Sequence, residues 1–465
     1  DKGISGAFKH GYGLDIHDRD DVLKCGSSVI TVNSTLLTDL VQFFVPASDG
    51  SMYAFGSTGS IYSIAGDKND PAVNFVYNDV DGNILGAGEF QASDGITYIY
   101  WSTATQFSRR DMSTGEKAVP WTNVSANWKT EKISSSAVWH PIVNASGSLL
   151  FGNAEGIAML DFDNNFNPYK LNIRPGNLIN ALEERDDYVI IGSERWNESE
   201  EGHLWSWIVT ALNWVQKKKI PVQGINALIQ TELNLLQGGS NGEIFFSDFA
   251  NVVPIAKLPG GGKVNPGGVS IDNDLALFGF YGGTYPGLWT YGRRMKNRSQ
   301  ALNYAYRLAT TVAGSSVSSI GAVTTFNGIP FVSWGTTDGS TSDYGIDCVS
   351  STTKANALYE GLEFDGGNPH LNKTIDTIAL IMSPLASGTS VSAKFKTDKE
   401  STWRYAVLSS GATTFSVANE IIALFNLGKP ARIYEVGVEL NASGASSPEI
   451  HAITSYLSKE TNEFA

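Results

Sequence analysis

The stretch Leu40–Gly66, LVQFFVPASDGSMYAFGSTGSIYSIAG, contains three short apolar runs separated by Asp49-Gly50 and Thr58-Gly59. The runs are rich in β-branched and aromatic residues, which are typical of strands. An Asp-Gly pair supplies the positive φ angles that a tight hairpin turn requires. The stretch therefore predicts a three-stranded antiparallel meander. Because a lone meander is only marginally stable in water, it must pack against further strands.

The same pattern recurs along the chain at a spacing of about 40 to 50 residues, a period that is typical of propeller blades. In each copy a small-apolar run leads to a polar turn and then to a second apolar run that ends in Gly or Ser. A glycine-containing turn and a third run follow. The copies begin near Leu40, Leu85, Ala137, Ile179, Ile225, Gly267 and Ile320.

Seven such units predict an all-β fold with a seven-bladed β-propeller over residues 37–366, because radial packing buries both faces of each blade. A series of β-sandwiches is the competing interpretation. The Trp-Asp, kelch and sialidase repeat signatures do not occur in the units.

The two ends of the chain differ from the repeat. Residues 1–36 mix glycine, charge and short apolar runs, so this N-terminal arm either closes the ring by pairing with the last blade or docks on a neighbouring subunit. Residues 370–465 read as strands joined by polar turns and predict a small antiparallel β-sandwich that follows the propeller.

The composition restricts the classes of partner. The 465 residues are 42% hydrophobic and 17% charged, and the net charge of −14 argues against nucleic acid and against an anionic membrane surface. The sequence contains no run of 18 apolar residues, so it predicts no membrane-spanning segment. Cys25 and Cys348 are expected to be two buried free thiols, and a single disulfide between them is the alternative.

The sequence offers no catalytic or metal-binding motif. Its six histidines form no HExxH pair, and no GxSxG elbow occurs. The segment HDRDD at 17–21 is interpreted as a solvated turn, with a metal site as the alternative. We therefore predict no cofactor and no enzymatic activity.

Two sets of residues are nevertheless candidates for a functional role. Propeller glycosidases use carboxylates on inner strands, and by blade position the candidates are Glu89, Glu183, Asp248 and Asp272. Trp205 and Trp207 alternate on one strand and share a face, where they either pack between blades or stack on sugars. The predicted surface contacts are Trp196, Trp205, Trp207, Arg293 and Arg294.

Several segments together resemble a class of virion protein, namely the propeller-type structural proteins of tailed bacterial and archaeal viruses. They are GYGLDIHDRDDVL (11–23), GSTGSIYSI (56–64), EGHLWSWIVTALNWVQKKKIPVQGINALI (201–229) and GEIFFSDFANVVPIAKLPGGGKVNPGGV (242–269). The segments LASGTSVSAKFKTDKESTW (385–403) and IYEVGVELNASGASSPEIHAI (433–453) are similar to the small sandwich appended to many phage tail and fibre proteins.

This resemblance implies a non-enzymatic structural protein located in the virion: a tail, fibre or neck component or a capsid decoration. Its implied partners are other virion proteins, with the chain present as a homo-oligomer or in many copies, and host attachment to a surface glycan is a further expectation. The alternative function is a carbohydrate-binding or glycosidase-type propeller. A cell-surface protein of the host is the third hypothesis.

Overall fold

The computed structural model describes residues 9–19, 21–32, 37–67, 70–125, 139–173, 175–196, 201–231, 234–258, 260–293, 300–308, 317–338, 341–367, 370–398 and 400–459. The predicted all-β class is confirmed, because within these ranges the regular structure is β-strand apart from the four-residue helix α1 (Thr122–Ser125). No helix in the described part of the chain is long and apolar enough to cross a membrane.

Three short strands come first in the chain: β1 (His10–Tyr12), β2 (Leu23–Lys24) and β3 (Ser27–Thr31). Seven four-stranded sheets follow, and we number them one to seven. Sheets one to three contain β4 (Val41–Pro46), β5 (Met52–Gly56), β6 (Ser60–Asp67) and β7 (Asp70–Asn78); β8 (Gly86–Gln91), β9 (Thr97–Ser102), β10 (Phe107–Asp111) and β11 (Lys117–Ala118); β12 (Ile142–Ala145), β13 (Ser148–Asn153), β14 (Gly156–Leu160) and β15 (Phe166–Asn172).

The next four sheets repeat the order. Sheets four to six contain β16 (Asn177–Arg185), β17 (Tyr188–Arg195), β18 (Gly202–Trp207) and β19 (Gln216–Ile220); β20 (Ile225–Gln230), β21 (Asn234–Gly238), β22 (Glu243–Ser247) and β23 (Val252–Lys257); β24 (Val269–Asp272), β25 (Leu275–Phe280), β26 (Gly287–Gly292) and β27 (Ala301–Tyr306). Sheet seven contains β28 (Val317–Phe326), β29 (Ile329–Asp338), β30 (Thr341–Lys354) and, beyond β30, β3 from the N-terminal segment.

The opening stretch forms β4, β5 and β6, as predicted. The turn after β4 is closed by a hydrogen bond from Ala47 N to Ser51 O of 2.8 Å, and the Asp49 carboxylate accepts from Ser51 N at 2.9 Å. Gly50 and Gly59 have φ angles of 83° and 101°, which a residue with a Cβ rarely adopts. The two Gly-containing pairs therefore end their strands for the reason that the sequence indicated.

Consecutive sheets pack face to face through apolar cores. Phe55 of the first sheet packs with Trp101 of the second, and Phe107 of the second meets Phe151 of the third edge-on at a centroid distance of 4.8 Å. Sheets three and four share a cluster that includes Ile157 and Trp207. In these three pairs, each apolar core draws on two neighbouring sheets.

A glycine in the second half of the second strand has a packing role. A Cβ on Gly152 would lie 2.6 Å from Ile179 Cγ2 of the next sheet, and a Cβ on Gly192 would lie 2.7 Å from Ile225 Cγ2. In the second sheet Ser102 takes this position, is fully buried and contacts His140 Nδ1 through its Oγ at 3.1 Å. The Gly-or-Ser ending of the repeat thus reflects close approach between sheets.

The seventh sheet also contacts the first. Ser333 Oγ on β29 donates to Val41 O on β4 at 2.6 Å, and β28 runs beside β4. The residues after β3 continue along the seventh sheet, where Val32 N donates to Ile346 O at 2.8 Å and Leu37 N donates to Tyr344 O at 3.0 Å. Of the two alternatives for the N-terminal segment, pairing with the last sheet is the one found for Ser27–Thr31.

Two further sheets are formed largely by the C-terminal part of the chain. Their additional strands are β31 (Ala357–Glu360), β32 (Lys373–Met382), β33 (Ser390–Thr397), β34 (Arg404–Tyr405), β35 (Ile422–Ala431), β36 (Tyr434–Asn441) and β37 (Glu449–Lys459). One sheet has the order β1-β31-β36-β33-β34 and the other has the order β2-β37-β32-β35. They share one core, which contains Leu14, Cys25, Ile378, Phe425 and Val438.

The chain divides into two compact units. One comprises Ile30–Leu288 and Leu308–Cys348, and the other comprises Asp1–Val29, Trp289–Arg307 and Val349–Ala465. The predicted domains 1–36, 37–366 and 370–465 are continuous in sequence, whereas both units are assembled from separate stretches. Strands β1 and β2, assigned to an N-terminal arm by the sequence, are members of the two C-terminal sheets.

Candidate functional site

Three of the four candidate carboxylates lie on the first strand of their sheet. Glu89, Glu183 and Asp272 lie near the carboxyl ends of β8, β16 and β24, the first strands of sheets two, four and six. Asp248 instead follows β22, the third strand of its sheet, and is exposed. Glu89 and Glu183 are each two residue pairs from the hairpin turn, whereas Asp272 is in the last pair before its turn.

At these strand ends, carboxylates accept hydrogen bonds from the neighbouring sheet. Glu89 Oε1 accepts from both the backbone N and the Oγ of Ser48, each at 2.8 Å, and Ser48 follows β4 of the first sheet. Glu184 Oε1 accepts from Ser146 N at 3.3 Å, and Ser146 follows β12 of the third sheet. Both contacts join the end of one first strand to the end of the next.

Glu183 makes the corresponding contact between the fourth and fifth sheets, where it accepts a hydrogen bond from the backbone of Gln230. Desolvation in this half-buried position raises the pKa of Glu183 from 4.5 to about 7, opposed by the Gln230 hydrogen bond. The adjacent Glu184 adds a smaller repulsion that raises this pKa further. A carboxyl with a pKa near neutrality is the strongest electrostatic anomaly at the strand ends.

The aspartates of sheets five and six accept hydrogen bonds from residues that are close to them in sequence. Asp248 accepts from Asn251 N at 2.6 Å, and the hydrogen bonds from Asn251 lower the Asp248 pKa. Buried Asp272 accepts from Asn273 Nδ2 at 2.9 Å.

Between sheets six and seven the inter-sheet contact is made by a hydroxyl, since Ser270 Oγ accepts from Thr325 N at 3.1 Å. Sequence reasoning missed Ser48, Ser146 and Ser270, whose only signal was a polar residue at each strand end.

The geometry of these groups limits the chemistry they can perform together. Glycoside hydrolysis requires two carboxyl groups that face each other across a bond. Glu183 and Glu184 are neighbours on β16, so their side chains point to opposite faces of the strand. Glu89, Glu183 and Asp272 lie on alternate sheets. Glu89, Glu183 and Glu184 contact neighbouring sheets. Asp248 and Asp272 accept local hydrogen bonds instead.

The predicted tryptophan platform separates into buried and exposed members. Trp205 and Trp207 are fully buried; Trp205 Nε1 donates to Ser193 Oγ at 2.9 Å and Trp207 Nε1 donates to Ala211 O at 3.0 Å. For these two residues the expected surface contact gives way to core packing, because their rings fill the space between sheets. Trp196 is 38% exposed and remains at the surface.

A second exposed indole, Trp214, packs edge-on against Trp205 at a centroid distance of 5.2 Å. The two indoles lie near opposite ends of β18. Trp196 comes shortly after Glu194, which pairs with Gly202 at the start of β18. Trp214 comes shortly before Gln216, which pairs with Ser206 near its end. The two exposed indoles therefore do not form one platform.

The structure describes only one of the two arginines that were predicted as surface contacts. Arg293 follows β26 and is half-buried, and Arg294 lies outside the described residues. Three lysines lie on β19: Lys217 is over the Trp205 ring at 4.6 Å, Lys218 donates to Ala250 O at 2.6 Å and Lys219 pairs with Glu201 at 3.6 Å. These contacts occupy the lysines of β19 within the chain.

The HDRDD segment forms ion pairs. Arg19 pairs with Asp21 at 2.8 Å, Lys24 pairs with Asp18, and His17 contacts Thr290 Oγ1 at 2.9 Å. Among the residues that the structure describes, no group of three or more His, Cys, Asp or Glu side chains is placed to hold a metal ion. Cys25 and Cys348 are free and buried, as expected, and burial raises the pKa of each thiol to about 11.

Comparison with known proteins yields structural similarity but no sequence relative. No protein-family model matches the chain, and no curated protein matches it. The WD40 β-propeller domain of Doa1 is 10% identical with a TM-score of 0.42, and the match covers 69% of this chain and 97% of that one. For the β-propeller domain of Myceliophteria_thermophila Cps50 (Swd1), the identity is 10%, the TM-score 0.45 and the coverage 70% and 100%.

A third similar structure is the computationally designed Ika8 protein, at 11% identity and a TM-score of 0.39, covering 66% of this chain and 86% of that one.

Proposed function

We propose that this chain is a non-enzymatic structural component of a tailed-virus particle, acting as a rigid seven-bladed β-propeller with an attached β-sandwich. Its place would be the tail, fibre or neck, or the capsid surface as a decoration. Multiple copies would convert weak individual contacts into firm attachment through effective concentration.

One observation carries the proposal: polar side chains at the strand ends form hydrogen bonds between neighbouring sheets. Glu89 binds the first sheet from the second, and Glu184 binds the third from the fourth. Groups fixed in this way hold neighbouring sheets together, which suits a platform whose loops make the external contacts. The contact of Ser333 Oγ with Val41 O supports closure of seven blades into one ring.

The shared core of the two C-terminal sheets supports the sandwich, and the outer face of one of these sheets is a candidate contact surface. Ile381 and Ile422 are paired in register on β32 and β35, and both are exposed. Leu424 follows on the same face of β35 and is 54% exposed. Contiguous exposed aliphatic side chains mark protein contact surfaces, and we assign this face to a neighbouring protein of the particle.

The test is quantitative mass spectrometry of purified virus particles from the source, with the copy number per particle. A high copy number would support a wall or capsid decoration, and a low one would support a neck or tail-tip component. Absence from the particles would overturn the virion proposal.

The contact surface is tested separately by the double variant Ile422→Asp, Leu424→Asp, which should reduce incorporation. Val80→Asp is the matched control, because Val80 is 90% exposed outside the C-terminal sheets.

The carbohydrate-binding alternative is favoured by two specific observations: the exposed indoles of Trp196 and Trp214, and the pKa of Glu183 near 7, which would suit a general acid. A glycan array and a glycosidase assay address it. Activity that is lost in Glu183→Gln would favour this alternative over the structural proposal.

A further inference from the structure

A pocket of about 320 Å³ opens between the end of β1, the start of β3, the end of β27 and the residues that follow β30. Its volume falls at the lower end of the range found for small-molecule sites. The lining side chains include Tyr12, Ser27, Val29, Tyr306 and Arg307. None of these residues belongs to the strand-end groups or the tryptophans described above.

The walls of this pocket are held by backbone hydrogen bonds from several directions. Gly13 N donates to Tyr304 O at 3.2 Å, Gly26 N donates to Gly13 O at 2.6 Å, and Ala355 N donates to Gly26 O at 3.0 Å. β1 also pairs with β31, where Tyr12 lies opposite Leu358. Segments far apart in sequence therefore converge on a fixed backbone frame, so the pocket is largely preformed.

The lining combines flat apolar surface with one positive charge. Tyr12 and Tyr306 contribute aromatic rings, and Val29 and buried Ala305 contribute aliphatic surface. Arg307 is the charged member of the lining set and is exposed, and within the described part of the chain no carboxylate pairs with it. Ser27 and Asn356 add hydroxyl and amide groups.

A single guanidinium beside an apolar pocket selects for an anion with an apolar body. A planar guanidinium binds a carboxylate through two parallel hydrogen bonds, while the aromatic and aliphatic walls bury the rest of the ligand. The whole chain carries a net charge of −14, so most of its surface repels anions. The guanidinium of Arg307 is a local positive charge within this negative surface.

We propose that this pocket binds a small ligand consisting of an aromatic or aliphatic body and one carboxylate, with the carboxylate held by Arg307. The ligand is either a free acid or the terminal carboxylate of a peptide, since both present the same chemistry. This proposal does not depend on the virion function.

The experiment uses the full chain and isothermal titration calorimetry. The probes are N-acetyl-L-phenylalanine, its carboxamide, and a hexapeptide ending in phenylalanine with either a free or an amidated terminus. Both free acids should bind and both amides should bind at least about tenfold more weakly, because a charge-assisted pair is lost. Tighter binding of the hexapeptide acid would identify a peptide terminus as the source, and tighter binding of the small acid would identify a free metabolite.

Two variants locate the site. Arg307→Gln should weaken binding of the acids about tenfold or more and leave the amides unchanged, whereas Arg432→Gln, at an exposed arginine on the C-terminal sheets, should change neither. Ser27→Phe should weaken acids and amides alike by filling the pocket. Thermal unfolding confirms that each variant is folded.

Failure of both acids to bind would overturn the proposal. So would equal affinity for acid and amide, or unchanged binding by Arg307→Gln and Ser27→Phe.

Discussion

Gly279 on β25 lies against Ile320 on β28, so closely that a Cβ at position 279 would come within 2.5 Å of Ile320 Cγ2. Both residues are fixed in sheet interiors, and Ile320 is fully buried. The absence of a side chain at position 279 thus sets the spacing between sheets six and seven, as Gly152 and Gly192 do for earlier pairs.

We expect Gly279→Ala to lower the free energy of unfolding by about 1–3 kcal/mol, because the added methyl group overpacks this junction. Ile320→Ala alone should lower it by about 2–5 kcal/mol through cavity formation. The double variant should be less destabilised than the sum of the two, by about 0.5–3 kcal/mol, since each change relieves the other. Urea unfolding of all four proteins measures this coupling; strict additivity would contradict the contact.

Buried Asp347 in the seventh sheet should be important for holding the N-terminal segment. Its Oδ1 accepts from Trp334 Nε1 at 2.8 Å and from Thr31 Oγ1 at 2.9 Å. Asp347→Ala should lower the free energy of unfolding by about 1–3 kcal/mol for each donor that is left without an acceptor. Thr31→Val removes only one of these hydrogen bonds and should lower it by about 1 kcal/mol.

Hydrogen exchange provides the local measurement for Asp347. In Asp347→Ala, protection should fall first along β3 and β30. Equal loss of protection across all sheets would argue against this local role.

The raised pKa of Glu183 predicts a pH dependence of stability. Its folded-state pKa of about 7 lies above the ordinary value of 4.5, so between these pH values the folded protein holds the proton more tightly than the unfolded chain. This group therefore lowers stability as pH rises from about 4.5 to 7.

Glu183→Gln should remove that contribution. At pH 8 the variant should be more stable than the parent by an amount on the order of 2 kcal/mol, and at pH 4 the two should be similar. Glu116→Gln, at an exposed glutamate between β10 and β11, is the matched control and should follow the parent. A parallel pH profile for Glu183→Gln and the parent would show that Glu183 is not desolvated.

The two thiols should be unreactive in the folded protein. Burial raises the pKa of Cys25 and Cys348 from 9.0 to about 11, which reduces the thiolate fraction at pH 8 roughly a hundredfold, and steric protection slows reaction further. Titration with a chromogenic disulfide reagent should detect about two thiols in denaturant and almost none without it. Rapid modification of the native protein would contradict the buried positions.

The repeat could be read from sequence because its signals are local. Asp49-Gly50 and Thr58-Gly59 specify turns through their own backbone preferences, and the alternating apolar runs between them specify strands. The Gly-or-Ser ending of each second strand was visible as a pattern, although its cause, contact with a residue such as Ile225 of the next sheet, was not.

The candidate site was predictable only in part. The strand-end positions of Glu89 and Glu183 followed from the repeat, but their hydrogen-bond partners did not, because Ser48 and Gln230 belong to neighbouring sheets. Two tryptophans on one face of a strand, such as Trp205 and Trp207, are typical of a sugar-binding surface. Both are buried, because the face of β18 that carries them packs against a neighbouring sheet. The pocket at Arg307 had no sequence signal, since its walls come from four separate stretches.

The sequence by itself determined the strands, the turns and the all-β class of this protein, because these depend on residues within a few positions of one another. The tertiary structure decided that β3 joins the seventh sheet and that β1 and β2 join the C-terminal sheets. Short strands of two to five residues carry too little pattern to specify a partner. Their placement depends on long-range hydrogen bonding and on burial of residues such as Leu14 and Cys25 in a core supplied by the other end of the chain.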